Sequence, residues 1–277
     1  MHGCFSELVA LLGALGYDRR DGTWEHPDGR VAVFAGDLMD RGPSSLDCLE
    51  LVWRMNRRGC GLLDALGNHD YKAYRALVMG RDVEYDHGFW ATVQDIEAAE
   101  RRDPQARERI TAMVAELFGA APSYSVFDGG RLVVTHAALR RGDVGKPTDL
   151  GRGDDLSDFC MFGEREGEPN DRGVPARSYN WATTWTDDAV CVYGHDVAGG
   201  EPIRRGPNGT VIGIDTGCCY GGALTALRWP EMETVAVGAL REHAERRGER
   251  LGGRPLYLTR GELTDREAGA EAPSPRT

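Results

Sequence analysis

Five short apolar runs in this sequence each end on a residue that can bind a metal ion. The runs VAVFAG, LLDALG, LVVT, VCVYG and VIGI are followed by Asp37, Asn68, His136, His195 and Asp215, respectively. Such runs are typical of buried strands, and the carboxyl ends of neighbouring strands meet at one edge of a twisted sheet. We therefore expect these five side chains to lie together. Carboxylate, amide and imidazole donors suit Mn, Fe, Zn or Mg better than they suit a metal that selects thiolates.

The segments between these runs have mainly helical patterns. FSELVALLGALGY carries an apolar stripe that ends at Gly16, and SSLDCLELVWRMNRRG begins with serine caps and ends at Gly59. The pattern from Tyr71 to Phe118 is helical and strongly charged. GNHD predicts a tight polar turn, and the Gly-, Asp- and Arg-rich stretch between His136 and Trp181 predicts a long loop region over the active face.

Composition limits the classes of partner. A net charge of −11 over 277 residues argues against a broad surface for duplex DNA, although it leaves room for a basic pocket that binds one phosphate group. No apolar stretch approaches the roughly 20 residues that a membrane-spanning helix needs. The seven cysteines form no CxxC pair, which favours reduced thiols and a cytoplasmic protein. The sequence does not indicate an oligomeric state.

The motifs HGCFSEL, GDLMDRGP, GNHD, THA and YGHD, in this order, resemble those of the calcineurin-like metallophosphoesterases of the phosphoprotein phosphatase superfamily. The likeness is to the bacterial branch, which includes diadenosine tetraphosphatase-like enzymes and the phosphatase module of bacterial polynucleotide kinase-phosphatase. FGEREGEPNDRGVPARSYNWA and IDTGCCYGGALTALRWPE are especially similar to that RNA-repair module and its stand-alone relatives. The resemblance runs from Met1 to about Val237.

The resemblance implies an α/β (α+β) fold in which a two-sheet β-sandwich is flanked by helices. It implies one metallophosphoesterase domain over residues 1–240, with a helical insertion over about 72–119. Residues 241–277 are rich in Glu and Arg and then in Ala and Pro, so we expect a charged, disordered tail.

The resemblance also implies a site for two divalent ions, with Mn as the first choice and Fe, Zn, Ni or Mg as alternatives. In this reading Asp37 bridges both ions and His2 belongs to the first. Asn68, His136 and His195 hold the second. Two such cations lower the pKa of a shared water and hold the phosphoryl oxygens for in-line attack.

The remaining motif residues are expected to act on the substrate. Arg41 would bind the substrate phosphate through its planar guanidinium, and Arg177 would reach the substrate from the long loop. His69 and Asp70 would form the general-acid pair that protonates the leaving oxygen. Asp215 resembles an active-site aspartate of the polynucleotide-repair module.

The beginning of the sequence differs from the family pattern. Family members normally open with a strand that runs into Gly-Asp-x-His-Gly, whereas this sequence begins Met1-His2-Gly3. The aspartate expected as a first-metal ligand is therefore missing with its strand, as if translation had been assigned to start inside the motif. Two hypotheses follow: a two-metal phosphoesterase, or a non-catalytic phosphate-binding module. For the enzyme, the candidate substrates are nucleotide phosphates, dinucleoside tetraphosphates, RNA-end phosphates and phosphoproteins.

Overall fold

The computed structural model describes residues 1–83, 87–149, 154–169, 175–197 and 201–244. Its helices are α1 Phe5–Ala14, α2 Ser45–Arg57, α3 Asn68–Leu77, α4 His87–Arg102, α5 Ala106–Ala120 and α6 Asp155–Phe162. Its strands are β1 Asp18–Arg20, β2 Thr23–Glu25, β3 Ala32–Phe34, β4 Gly61–Leu63, β5 Tyr124–Phe127, β6 Leu132–Thr135, β7 Arg165–Pro169, β8 Pro175–Arg177, β9 Val190–Tyr193, β10 Ile203–Arg205, β11 Val211–Gly213, β12 Ala223–Arg228 and β13 Glu233–Gly238.

Parallel strands bring the predicted donors to common edges. The largest sheet has the order β10-β11-β9-β6-β5, and its three central strands β6, β9 and β11 are parallel. His136, His195 and Asp215 follow these three strands at the same edge. A second parallel pair, β3 with β4, ends just before Asp37 and Asn68. The expectation that apolar runs would carry the donors to strand ends is confirmed.

The sheets pack as layers with helices outside them. One face of the five-stranded sheet packs against β3, Ala65 and the end of β12 through a cluster that includes Val134, Val192 and Ile212. The opposite face is covered by Trp181 and Trp185. Helices α2 to α5 and part of α1 contribute to a further core with β3 and β4. This is the mixed α/β arrangement of sheets and flanking helices that the sequence predicts.

The second layer is less continuous than a two-sheet sandwich implies. In the described residues, β3 forms a ladder only with β4, and β12 forms one only with β13, apart from a single bridge between Ala223 and Gly217. A cavity of about 540 Å³ is lined by both β3 and β12 and by apolar residues of α1, such as Leu8 and Leu12. The layer therefore consists of two separate two-stranded sheets with an apolar space against them.

Three local predictions are wrong. GNHD is not a turn: α3 begins at Asn68, and Asp70 in its first turn accepts a hydrogen bond from the backbone N–H of Gly67. Ser44 stands at the start of α2 without capping it through its side chain, while the Ser45 hydroxyl accepts a hydrogen bond from the N–H of Asp40. The region between 136 and 181 contains α6, which Asp154 caps, and the β7–β8 hairpin.

The expected tail begins later than residue 241. The backbone N–H of His243 donates to the carbonyl of Cys219 at 2.9 Å, and Glu242 forms a bridge with Tyr220. Residues 241–244 are thus packed on the fold, and residues 245–277 lie outside the described residues. Within the described ranges, no helix is both long and apolar enough to cross a membrane.

Candidate metal centre and active site

Asp37 is the common member of two groups of potential metal donors. The donor atoms of His2, Asp37 and His69 lie within 4.8 Å of one another, and so do those of Asp37, His136 and His195. Asp37 Oδ2 is 3.3 Å from His2 Nε2 and 3.4 Å from His136 Nε2. A single carboxylate oxygen therefore lies between imidazoles of both groups.

The second group also includes an amide oxygen. Asn68 Oδ1 lies 3.4 Å from His136 Nε2, and His195 Nδ1 lies 3.1 Å from the same nitrogen. Two imidazoles, one carboxylate and one amide thus converge at one point. Asp215 belongs to neither group of donors. Its Oδ1 accepts a hydrogen bond from the backbone N–H of Gly217. The residue lines the cavity of about 540 Å³ described above, as Asp37 and His136 do.

The orientation of the imidazoles suits metal binding. His136 Nδ1 lies 2.6 Å from the carbonyl oxygen of Ala35, and His2 Nδ1 lies 3.1 Å from that of Met39. A carbonyl can only accept, so each ring carries a proton on Nδ1 and turns Nε2 towards Asp37. This donor set of nitrogens and oxygens fits divalent ions such as Mn, Fe and Zn.

Burial and neighbouring charges set the protonation of these donors. Burial by itself raises the pKa of Asp37, but His136, with smaller contributions from other imidazoles, outweighs it and holds this pKa well below its usual range. Burial, together with Arg41, keeps the pKa of His2 well below its ordinary value. Burial, together with His136 and Arg177, does the same to His195. Burial by itself lowers the pKa of His136, but Asp37 and the Ala35 carbonyl outweigh it and raise this pKa, so a cation that binds His136 Nε2 would displace a proton.

The backbone at the centre adopts conformations that L-residues rarely take. The φ angle is +52° at His2, +53° at Asp37 and +67° at His195. Such conformations cost about 1–3 kcal/mol each and concentrate at functional sites. Gly67 is required for a different reason: a Cβ there would lie 2.2 Å from Asp37 Oδ1. The glycine before Asn68 therefore gives the Asp37 carboxylate its space.

Each donor group has its own guanidinium. Arg41 donates to His2 Nε2 at 2.6 Å and to His69 Nε2 at 2.8 Å. Arg177 donates to His195 Nε2 at 2.6 Å and lies 3.4 Å from Asp196. The sequence predicted both arginines as substrate contacts, and the structure brings both to the centre.

The predicted pairing of His69 with Asp70 is wrong. His69 Nδ1 lies 2.6 Å from Asp40 Oδ2, whereas Asp70 accepts hydrogen bonds from the backbone N–H groups of Leu38, at 2.8 Å, and Gly67, at 3.3 Å. Consecutive residues of a helix point to different faces, so Asp70 cannot follow His69 into the site. Burial and the nearby charge of Asp37 raise the pKa of Asp70 to about 7.

Asp40 is the residue at this site that the sequence reasoning missed. Its side chain is fully buried, its Oδ1 accepts a hydrogen bond from Thr92 at 2.8 Å, and Lys72 Nζ lies 3.7 Å from its Oδ2. The signal was present in GDLMDRG, where a second aspartate stands three residues after Asp37.

A model of the calcineurin-like phosphoesterases matches residues 1–196 of the chain. The chain belongs to this family. The calcineurin-like phosphoesterases are metal-dependent phosphoric ester hydrolases, and membership of this family confirms the resemblance drawn from the motifs.

Within this family, the chain is similar to several curated bacterial enzymes and to a solved structure. The phosphoesterase is 40% identical over 239 residues to the asymmetrical bis(5'-nucleosyl)-tetraphosphatase PrpE of Halalkalibacterium halodurans, covering 86% of this chain and 90% of the relative. It is 38% identical over 239 residues to the PrpE of Bacillus subtilis, with 86% and 91% covered. A crystal structure of a protein inferred to be a diadenosine tetraphosphatase superposes with a TM-score of 0.53 at 22% identity, covering 86% and 90% of the two chains. That structural likeness supports the fold.

Proposed function

We propose that this phosphoesterase hydrolyses dinucleoside tetraphosphates with the help of two divalent ions, of which Mn²⁺ is the first choice. The observation that carries the two-ion proposal is the position of Asp37 Oδ2, 3.3 Å from His2 Nε2 and 3.4 Å from His136 Nε2. The tetraphosphate substrate is taken from the names of the curated relatives.

The donors divide between two positions. His2 and Asp37 would hold one ion, and Asp37 with Asn68, His136 and His195 would hold the other. When bound, the two ions supply positive charge that lowers the pKa of a water and neutralises the phosphoryl oxygens. The Nδ1–H bonds of His2 and His136 to backbone carbonyls keep the rings in the required orientation.

His69 is proposed as the general acid. When the ring is protonated, Asp40 stabilises its charge through Nδ1, and Nε2 carries the proton that the leaving phosphate oxygen needs. A nucleotide leaving group is negatively charged as it departs, so a proton delivered there favours cleavage of the anhydride. Asp70, which caps backbone N–H groups, has a structural role in this proposal.

The two arginines are proposed to bind successive phosphates. Arg41 reaches the His2 group and Arg177 reaches the His195 group, so a polyphosphate laid across the centre would meet a guanidinium on each side. A guanidinium can donate two parallel hydrogen bonds to a phosphate. A substrate with one phosphate would use only one of these contacts.

The test is a comparison of substrates with the full chain. Diadenosine tetraphosphate, an RNA oligonucleotide with a 2',3'-cyclic phosphate end and a phosphoserine peptide are each offered with Mn²⁺, and products are separated by anion exchange. We expect the highest kcat/KM for the tetraphosphate, and a mixture of mono- and triphosphate products if its cleavage is asymmetrical. Preferred hydrolysis of the RNA end or the peptide would contradict the proposal. Replacing Mn²⁺ with Fe²⁺, Ni²⁺, Zn²⁺ or Mg²⁺ tests the choice of ion.

A cytoplasmic location remains part of the proposal. All seven cysteines lie in the described ranges and are free thiols, in accord with a reducing compartment. We also propose that residues 1–244 form the folded phosphoesterase domain.

A further inference from the structure

The most exposed aromatic side chain among the described residues lies at the end of α6. Phe162 is the last residue of that helix and is 42% exposed, whereas Cys160 and Met161 just before it are buried. Single exposed apolar residues are common on protein surfaces, so exposure by itself assigns no role to Phe162. Its position beside the metal centre sets this ring apart.

Arg177 links the end of α6 to the second donor group. Its Nη1 donates to the carbonyl oxygen of Phe162 at 3.1 Å, and its Nη2 donates to His195 Nε2 at 2.6 Å. A single guanidinium therefore spans the distance between the backbone of Phe162 and a proposed metal ligand. A phosphate bound by Arg177 would have the end of α6 beside it.

The end of α6 also packs against the segment that carries His136. The N–H of Ala137 donates to the carbonyl oxygen of Cys160 at 2.7 Å. Gly163 ends the helix with a φ of +75°, and a Cβ there would lie 3.5 Å from that of Ala137. These contacts fix the backbone of Phe162 at the edge of the site, so its side chain extends from a rigid support.

Two other half-buried aromatic rings near the centre are already covered by arginines. The guanidinium carbon of Arg41 lies 5.5 Å from the centre of the Tyr220 ring, and that of Arg205 lies 3.4 Å from the centre of the Tyr179 ring. Within the part of the chain that the structure describes, no lysine or arginine lies over the ring of Phe162 in this way. Its ring therefore offers an open face to a planar ligand.

A nucleobase is the part of the proposed substrate that such a ring would bind. Every base has a π-face that stacks on aromatic side chains, with little preference for one base over another. Phosphate and ribose have no such face. An exposed aromatic ring beside a phosphate-binding arginine is therefore complementary to a nucleotide.

We propose that Phe162 is the stacking platform for the nucleobase of the nucleotide whose phosphate Arg177 binds. This role rests on the proposed hydrolysis of dinucleoside tetraphosphates and concerns recognition of the nucleoside part of that substrate. Phe162 would determine specificity without touching the reacting phosphate. Because stacking tolerates every base, diadenosine and diguanosine tetraphosphates should have kcat/KM values within a few-fold of each other.

The experiment compares ligands with and without a base. The full chain with excess Mn²⁺ hydrolyses p-nitrophenyl phosphate, and inhibition constants are measured for ATP, AMP, tripolyphosphate and inorganic phosphate. In Phe162→Ala, inhibition by the nucleotide that occupies this side should weaken by roughly tenfold, a typical effect of losing one stacked base. Inhibition by tripolyphosphate and phosphate should not change. The KM for diadenosine tetraphosphate should rise by a similar factor.

Three further variants separate stacking from other roles. Phe162→Leu keeps an apolar side chain without a π-face and should behave like Phe162→Ala, whereas Phe162→Trp should restore inhibition by the nucleotide. Met79→Ala removes another side chain that is 42% exposed, beyond the end of α3, and should leave all inhibition constants unchanged. Melting temperatures check that each variant is folded.

Two results would overturn the proposal. Unchanged inhibition by both nucleotides in Phe162→Ala and Phe162→Leu would exclude a contact with the base. Equal weakening for ATP and tripolyphosphate would show that Phe162 acts only through Arg177. Failure of the proposed function would appear elsewhere, as a lack of preference for diadenosine tetraphosphate in the unmutated protein, and the inhibition constants would still decide the role of Phe162.

Discussion

His69 and Asp40 form a buried pair, with 2.6 Å between Nδ1 and Oδ2. His69 is 3% exposed and Asp40 is 0% exposed, so water does not compete for the contact. The other ring nitrogen, Nε2, faces Arg41 at 2.8 Å. The pair therefore orients Nε2 of His69 towards the place where Arg41 would hold a phosphate.

The Asp40→Asn variant should lose turnover by roughly 10²-fold or more, because an amide stabilises a protonated imidazole poorly. The loss should be large for phenyl phosphate and small for p-nitrophenyl phosphate, whose leaving oxygen needs little protonation. Measuring kcat for both esters distinguishes general-acid support from a structural role. Equal losses for the two esters would remove His69 from the acid step.

Asp70→Ala is the control for Asp40→Asn, because it should lower the stability of the protein without affecting the acid step. It leaves the buried N–H groups of Leu38 and Gly67 without their acceptor, and each lost partner costs about 1–3 kcal/mol. We expect a clear fall in the urea midpoint, with the ratio of kcat values for the two esters unchanged. A urea midpoint equal to that of the unmutated protein would show that these amides find other acceptors.

Removing a proposed ligand of the second ion should weaken metal binding and activity together. Asn68→Ala and His136→Ala should each reduce Mn²⁺ affinity by at least the 10–100-fold that loss of even an outer hydrogen bond causes. Titration calorimetry of the metal-free protein measures this directly. Asn208→Ala, which removes an exposed amide, is the control. Unchanged Mn²⁺ affinity in both ligand variants would contradict the assignment.

Arg41→Ala and Arg177→Ala should separate the roles of the two guanidiniums. Arg41→Ala should weaken inhibition by inorganic phosphate and slow hydrolysis of every substrate. Arg41→Lys should recover little of the lost activity, because an ammonium cannot bind two oxygens in parallel. Arg177→Ala should raise KM for diadenosine tetraphosphate far more than for p-nitrophenyl phosphate. Arg204→Ala, an exposed change, should alter neither. Identical KM effects on both substrates would exclude a second phosphate contact.

Two glycine substitutions should change the stability of the protein in opposite directions. In Gly67→Ala the new Cβ would lie 2.2 Å from Asp37 Oδ1, so the variant should lose metal binding and stability. Gly13→Ala lies in α1 with no atom within 4 Å of the new Cβ, and it should stabilise the protein by about 0.5–1 kcal/mol. Thermal unfolding measures both. A functional, stable Gly67→Ala protein would show that Asp37 can move aside.

Sequence reasoning found the donors because strand ends are encoded locally. An apolar run followed by a polar residue marks the end of a buried strand. Parallel pairing of β6 with β9 then brings His136 to His195, and the packing of β3 against the five-stranded sheet brings Asp37 to both. The partner of His69 is not encoded in this way. It depends on the left-handed φ of +72° at Asp40 and on the phase of α3, which only the packed structure determines.

Contacts between residues far apart in the sequence could not be predicted either. Glu7 and His243 lie 236 positions apart and meet because the last described segment returns to α1. No periodicity relates such positions. The helix α6 and the β7–β8 hairpin were hidden by a composition of Gly, Asp and Arg that is typical of loops, although Asp154 is a favourable helix cap.

The spread of the donors along the chain has a kinetic consequence. His2, Asp37, His136 and His195 belong to separate segments, and no two of them meet before the sheets have closed the intervening loops. Contacts between distant residues form slowly and late. An early folding intermediate would therefore have no binding site for metal ions. Bound metal would change the rate of unfolding and leave the rate of folding nearly unchanged. The loaded enzyme should unfold more slowly than the metal-free enzyme while refolding at nearly the same rate.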